Sequence, residues 1–139
     1  MGLEAINFSF HSKEPLEEKL ALNKEIKYIK ENKYVLNMND NFWIDLELQS
    51  QNSLSIRITL CNPTEPVLEA LFNLVGYLFK GNGQLIEMRS KQVYQTYNDE
   101  LKENLKKLYF NQKKKFQEIY GDYTAAIGSE EFYRRQKQI

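Results

Sequence analysis

Cysteine, histidine and tryptophan occur once each and proline three times in this 139-residue chain, and its nineteen Lys/Arg are balanced by nineteen Asp/Glu. Each scarcity excludes something. A lone Cys61 cannot close an internal disulfide and fits a reducing compartment. Metal sites need clustered His, Cys or carboxylates, yet His11 and Cys61 stand fifty residues apart. A net charge of zero is not the footprint of a nucleic-acid binder, which is usually strongly basic. The longest apolar run, "VLEALFNLVGYLF", has 13 residues and carries Glu69 and Asn73, too short and too polar to span a bilayer. The start, "MGLEAINFSF", lacks a basic segment followed by an apolar one, and Ile6 stands where an acylation signal wants Ser or Thr. The expectation is a soluble cytoplasmic protein with no cofactor, no metal and no membrane or nucleic-acid partner, and not an enzyme.

What is present is material for a core. The chain is 42% hydrophobic and 13% aromatic, with nine Tyr and eight Phe, and its length suits a single domain over 1–139. Its halves differ in charge: residues 1–70 hold eleven acids and seven bases, and residues 71–139 hold eight and twelve.

Periodicity places the elements. Ile6, Phe8 and Phe10 alternate with Asn7 and Ser9, as in a half-buried strand. In "EPLEEKLALNKEIKYIKENK", Leu16, Leu20, Ile26 and Ile29 fall roughly on one stripe, which predicts a helix with Pro15 in its first turn. Phe42, Ile44, Leu46 and Leu48, then Leu54, Ile56, Ile58 and Leu60, alternate with polar residues and predict an antiparallel hairpin. Its two apolar sets must share a face. That favours pairing Leu48 with Leu54 and Leu46 with Ile56, around a Ser50-Gln51-Asn52 loop with Asn52 suited to a left-handed conformation. The outer face then sets Asp45 opposite Arg57, Glu47 opposite Ser55 and Trp43 opposite Thr59.

"NPTEPVLEALFNLVGYLFKGNG" reads as a central helix, with Asn62 or Thr64 to cap it and Gly81 or Gly83 to end it. "QLIEMRSKQVYQTY" reads as two strands around Ser90-Lys91. Asn98 starts a long helix that ends at Gly121, with Leu101, Leu105, Leu108, Phe116 and Ile119 on one side and Lys113–Lys115 mostly solvated. The fold class expected is α+β: a mostly antiparallel sheet of about five to six strands, helices on one face, and a long helix near the C-terminus.

Candidate chemistry is sparse. Cys61 with His11 as its base is a conceivable nucleophile pair, but a small buried residue before Asn62-Pro63 is ordinary. Asp45 and Glu47 on one strand face could do acid–base work, although a solvated sheet face looks the same. The glycines of "KGNGQ" close a helix, whereas a phosphate loop opens one. Lys113-Lys114-Lys115 beside Phe110 and Phe116 could hold RNA, but Glu118 and Asp122 follow closely.

The end, "GDYTAAIGSEEFYRR", differs from what precedes it: small apolar residues, a helix start at Ser129 with Glu130 and Glu131, then aromatics and arginines. It suits a C-terminal latch. Tyr123, Phe132, Tyr133, Arg134 and Arg135 are also the residue types favoured at protein interfaces. Trp43 among acids on a strand's solvent side points the same way, since a bland surface rarely carries a Trp. The candidate partner-binding residues are therefore Trp43, Asp45, Glu47 and Arg57, with the C-terminal five.

The succession "LSIRITLCNPTEPVLEALFNLVGYLF", "GQLIEMRSKQVYQTYNDELKENLKKLY" and "GDYTAAIGSEEFYRR" resembles small bacterial cytoplasmic immunity proteins, the single-domain α+β inhibitors encoded beside polymorphic or contact-dependent toxins. The resemblance implies a non-catalytic protein that binds a toxin domain and blocks its active site or assembly, and it carries no site residue across. An acidic first half could face a basic toxin. The alternative is a structural or homo-oligomeric accessory protein, phage-type or otherwise, using an edge strand or the outer sheet.

Overall fold

A computed structural model describes residues 3–137; the Met1-Gly2 start discussed above lies outside them. The chain folds as α+β: β1 (Ala5–Ser12), α1 (Glu17–Leu22), β2 (Ile26–Lys30), β3 (Lys33–Met38), β4 (Phe42–Ser50), β5 (Ser53–Thr59), α2 (Thr64–Leu78), β6 (Gly83–Glu87), β7 (Val93–Tyr94), α3 (Asp99–Tyr120) and α4 (Ser129–Gln136). The strands make one antiparallel sheet in the order β2-β3-β4-β5-β1-β6-β7. Among the described residues no helix is long and apolar enough to cross a membrane.

The hairpin forms in the register its alternation demands, with Asp45↔Arg57, Leu46↔Ile56, Glu47↔Ser55 and Leu48↔Leu54. Near the turn a bulge shifts the ladder to Ser50↔Ser53, so the connection tightens to Gln51-Asn52. Asn52 is not left-handed; its side chain instead donates to the Ser12 carbonyl at 3.1 Å. The ladder stops short of Trp43, whose backbone N–H donates to the Asn62 side chain at 2.8 Å.

On the inner face Phe8, Phe10, Ile44, Leu46, Leu54, Ile56 and Ile58 are buried beneath Val67, Leu71, Leu74, Val75 and Leu78 of α2. Each such side chain contributes about 1.5–3 kcal/mol by leaving water. No side chain caps α2: Pro63 holds the cap position and Pro66 lies in the first turn, so neither Asn62 nor Thr64 is the cap. In α3 the cap is as expected, the Asn98 side chain accepting from the Leu101 N–H at 2.9 Å. Gly121 closes it at φ +75°, a conformation that favours glycine.

Residues 23–33 depart from the helix expected there. The helix stops at Leu22, the Asn23 side chain accepts from the Glu25 N–H at 3.0 Å, and β2 begins. Ile26, Tyr28 and Ile29 are β-branched or aromatic and fit a pleated edge better than a helix. Glu31, at φ +49°, turns the chain into β3. The sheet thus has seven strands.

Two residues of α3 also differ. Ile119 is exposed, and Lys113 is buried, its ammonium donating to the Asn62 carbonyl at 2.8 Å. Burial lowers the Lys113 pKa from its ordinary value. Lys114 and Lys115 remain solvated.

Candidate protein-interaction groove

α4 lies against the sheet's outer face, opposite α2, and what holds it there is polar. Ser129 opens the helix but does not cap it. Its hydroxyl accepts from Arg57 Nε and shares a hydrogen bond with Thr59 Oγ1, both at 2.7 Å. The same guanidinium donates to Asn7 Oδ1 at 3.1 Å and forms an ion pair with Glu4, a carboxylate only 2% exposed. Glu4 also takes a hydrogen bond from Tyr133, which helps push that phenol up to about 12. Asp45 and Arg57 are cross-strand neighbours, but it is Glu4 that neutralises Arg57.

The segment before α4 is fastened as firmly. The Ala125 N–H donates to the Cys61 carbonyl at 2.8 Å, and the Asn62 side chain donates to the Ile127 and Thr59 carbonyls at 2.9 and 2.8 Å. Asn62 thereby joins β4, β5, α3 and the C-terminal segment. At Gly128 the backbone comes so close that a Cβ would sit 2.6 Å from Asp45 Oδ2 and 2.8 Å from Trp43 Nε1. Trp43 Nε1 donates to Asp45 Oδ1 at 2.8 Å. The solvent-side Trp is thus explained in part by what covers it. Phe132 is fully buried among Phe116, Tyr120 and Tyr123, its ring centroid 5.1–6.1 Å from theirs, so it anchors the latch instead of presenting a contact surface.

Between latch and sheet runs an open groove of about 500 Å³. It brings together Trp43, Asp45, Glu47 and Arg57 from the sheet with Arg134 from the latch, joining the two regions singled out in the sequence. Tyr123, Tyr133 and Arg135 do not line it. Arg135 instead donates to Tyr123 Oη at 2.8 Å and, with Arg134, to Glu131. These two guanidinium groups hold the Glu131 carboxyl down to about 2.

Lys30, Lys33, Glu130 and Glu131 also line the groove and were not apparent from the sequence. Lys30 and Lys33 belong to a stretch whose apolar spacing suggests a helix, and the two acids suit the first turn of α4 equally well. With them the groove carries four bases and four acids, so its charge is balanced and not acidic like the first half of the chain. Ile29, 48% exposed, lines it from β2, whereas Tyr28, 62% exposed, pairs with Tyr34 on the sheet's other face.

The other candidates separate. His11 pairs with Ser53 at one end of the β1–β5 ladder, and Cys61 follows Thr59, which pairs with Ala5 at the other end. Six residues of strand put them about 20 Å apart, so the nucleophile–base pair is not assembled. Cys61 is buried, and that burial pushes its thiol up to about 11. Comparison of the chain with protein-family models, with curated proteins and with solved structures found no match in any of the three.

Proposed function

We propose that this chain is a non-catalytic protein-binding module, an inhibitor of the immunity type that docks a toxin domain in the groove between the outer sheet and α4. The observation that carries the reading is the joining of Trp43, Ile29 and Arg134 in one open groove with Lys30, Lys33, Glu47 and Glu130. Tyr, Trp and Arg dominate interface hot spots. Glu47, Lys30, Lys33 and Glu130 make no ion pair with one another or with any other described residue, and so remain available to a partner. A balanced set of both signs fits a mixed-charge protein surface and rewards a defined register over simple attraction.

Arg57 and Phe132 support the groove without being contacts. The test is affinity capture from the native host with wild-type protein and with Glu47→Lys/Lys33→Glu, whose folding is checked by circular dichroism. One stoichiometric partner carrying a toxin domain, held by wild type and lost by the variant, is the expected result. A partner retained equally by the variant would put the interface elsewhere.

A homo-oligomer through the β2 edge is the second reading, favoured by the exposure of Tyr28 and Ile29. Lys27, Lys30 and the bulge between Tyr28 and Lys30 oppose it, because charges and bulges are how edge strands avoid pairing. A mass that rises with concentration in light scattering would restore it.

A further inference from the structure

A second cavity, sharing no residue with the groove, opens where the end of β1, the C-terminus of α2 and the start of β6 meet. Its volume is about 780 Å³, within the range of small-molecule sites. Its lining contains no Asp or Glu, while Lys13, Lys80 and His11 all face it. The "KGNGQ" segment, which fails as a phosphate loop because its glycines follow a helix, forms one wall.

Positive charge also gathers at the edge of the cavity. Lys19, half-buried beside Gly81, and Lys80 both stand over the ring of Tyr77, at 5.3 and 5.8 Å from its centroid. Neither makes a salt bridge with a described residue, and the acid nearest in influence is Glu14, which acts on Lys19. Lys19 and Tyr77 lie outside the cavity's lining; of the two ammonium groups Lys80 faces the cavity, where an anion would offset the repulsion between them. The carbonyl end of α2, which would oppose an anion, is partly answered by Lys19, whose ammonium donates to the Leu78 carbonyl at 3.3 Å.

The remaining walls suit a flat ring. Phe79 and Tyr97 line the cavity, and Gln84 and Gln95 offer amide donors and acceptors for ring edges. Phe79 is steadied by an edge-on contact with Phe10 at 5.2 Å.

We propose that this cavity binds a phosphorylated small molecule of nucleotide size, its phosphates on Lys13 and Lys80 and its base against Phe79 and Tyr97. The site is independent of the groove and stands or falls separately from the protein-binding reading.

The test is amide chemical-shift mapping of the full chain at low salt, with ATP and with inorganic pyrophosphate as probes. ATP is expected to move the amides of 81–84 and 95–97 with a Kd of about 1 mM or tighter. Pyrophosphate should bind the same lysines several-fold more weakly, for want of a base. Lys13→Glu/Lys80→Glu, both exposed positions, should weaken ATP about tenfold or more, whereas Glu47→Lys should leave it unchanged. The proposal is overturned by silence of those amides at millimolar ATP, by shifts confined to Lys114 and Lys115, by pyrophosphate binding as well as ATP, or by affinity that survives the double charge reversal.

Discussion

The two faces of β5 hold their neighbours by different means. On the inner face Leu54, Ile56 and Ile58 meet α2 through apolar contact, which fixes depth strongly and orientation weakly. On the outer face Ser55, Arg57 and Thr59 share a surface with α4, and Arg57 and Thr59 bind it by hydrogen bonds that fix orientation. The inner face makes the fold stable; the outer face sets the shape of the groove. A polar latch suits that second task, because a hydrogen-bonded group tolerates few alternative positions.

Substitutions can break this comparison at graded cost. Ile56→Ala, on the inner face, should lower global stability by about 3–4 kcal/mol in urea unfolding, since it opens a cavity under a fully buried side chain. Arg57→Ala should cost about 3 kcal/mol by leaving the Glu4 carboxylate buried without its partner. Glu4→Gln added to it should recover part of that loss; a purely additive double variant would mean that the pair is not what holds α4.

Gly128→Ala should cost about 1–3 kcal/mol, because the new methyl must displace Asp45 or the Trp43 ring. It should also change Trp43 fluorescence while the inner-face core stays intact. The smallest effect is one of pH. The folded-state carboxyl of Glu131, held near 2, lies below its unfolded value, so its contribution is complete above about pH 5 and is lost as pH falls through 4 toward 2. Latch opening followed by Trp43 emission should show this acid step, and Glu131→Gln should remove it.

Which parts were legible in the sequence follows from the same contrast. Strict alternation over 42–60 gave the hairpin and its register, because one face had to be buried whole. Asn98 and Gly121 marked the long helix by local chemistry alone. Residues 23–33 mislead because Leu16, Leu20, Ile26 and Ile29 satisfy a helical stripe, while the Asn23 and Glu31 turns that break it leave little trace. Lys113 looked like part of a solvated run, and only the packing of α3 on Asn62 shows that it is buried. Trp43, Asp45, Glu47 and Arg57 were correctly grouped on one face. That α4 would cover part of that face, and that Arg57 would serve Glu4 and Ser129 before any partner, depends on contacts 53 and 72 residues apart in the chain.

The C-terminal segment is the fixed wall of the groove. Native-state amide hydrogen exchange reads this directly through two N–H groups, Ala125 bonded to the Cys61 carbonyl and Phe132 bonded to the Gly128 carbonyl. Protection of both close to that of the β5 amides is the predicted result. Exchange of both at free-chain rates while β5 stays protected would mean that the latch is open in solution, and would contradict the groove.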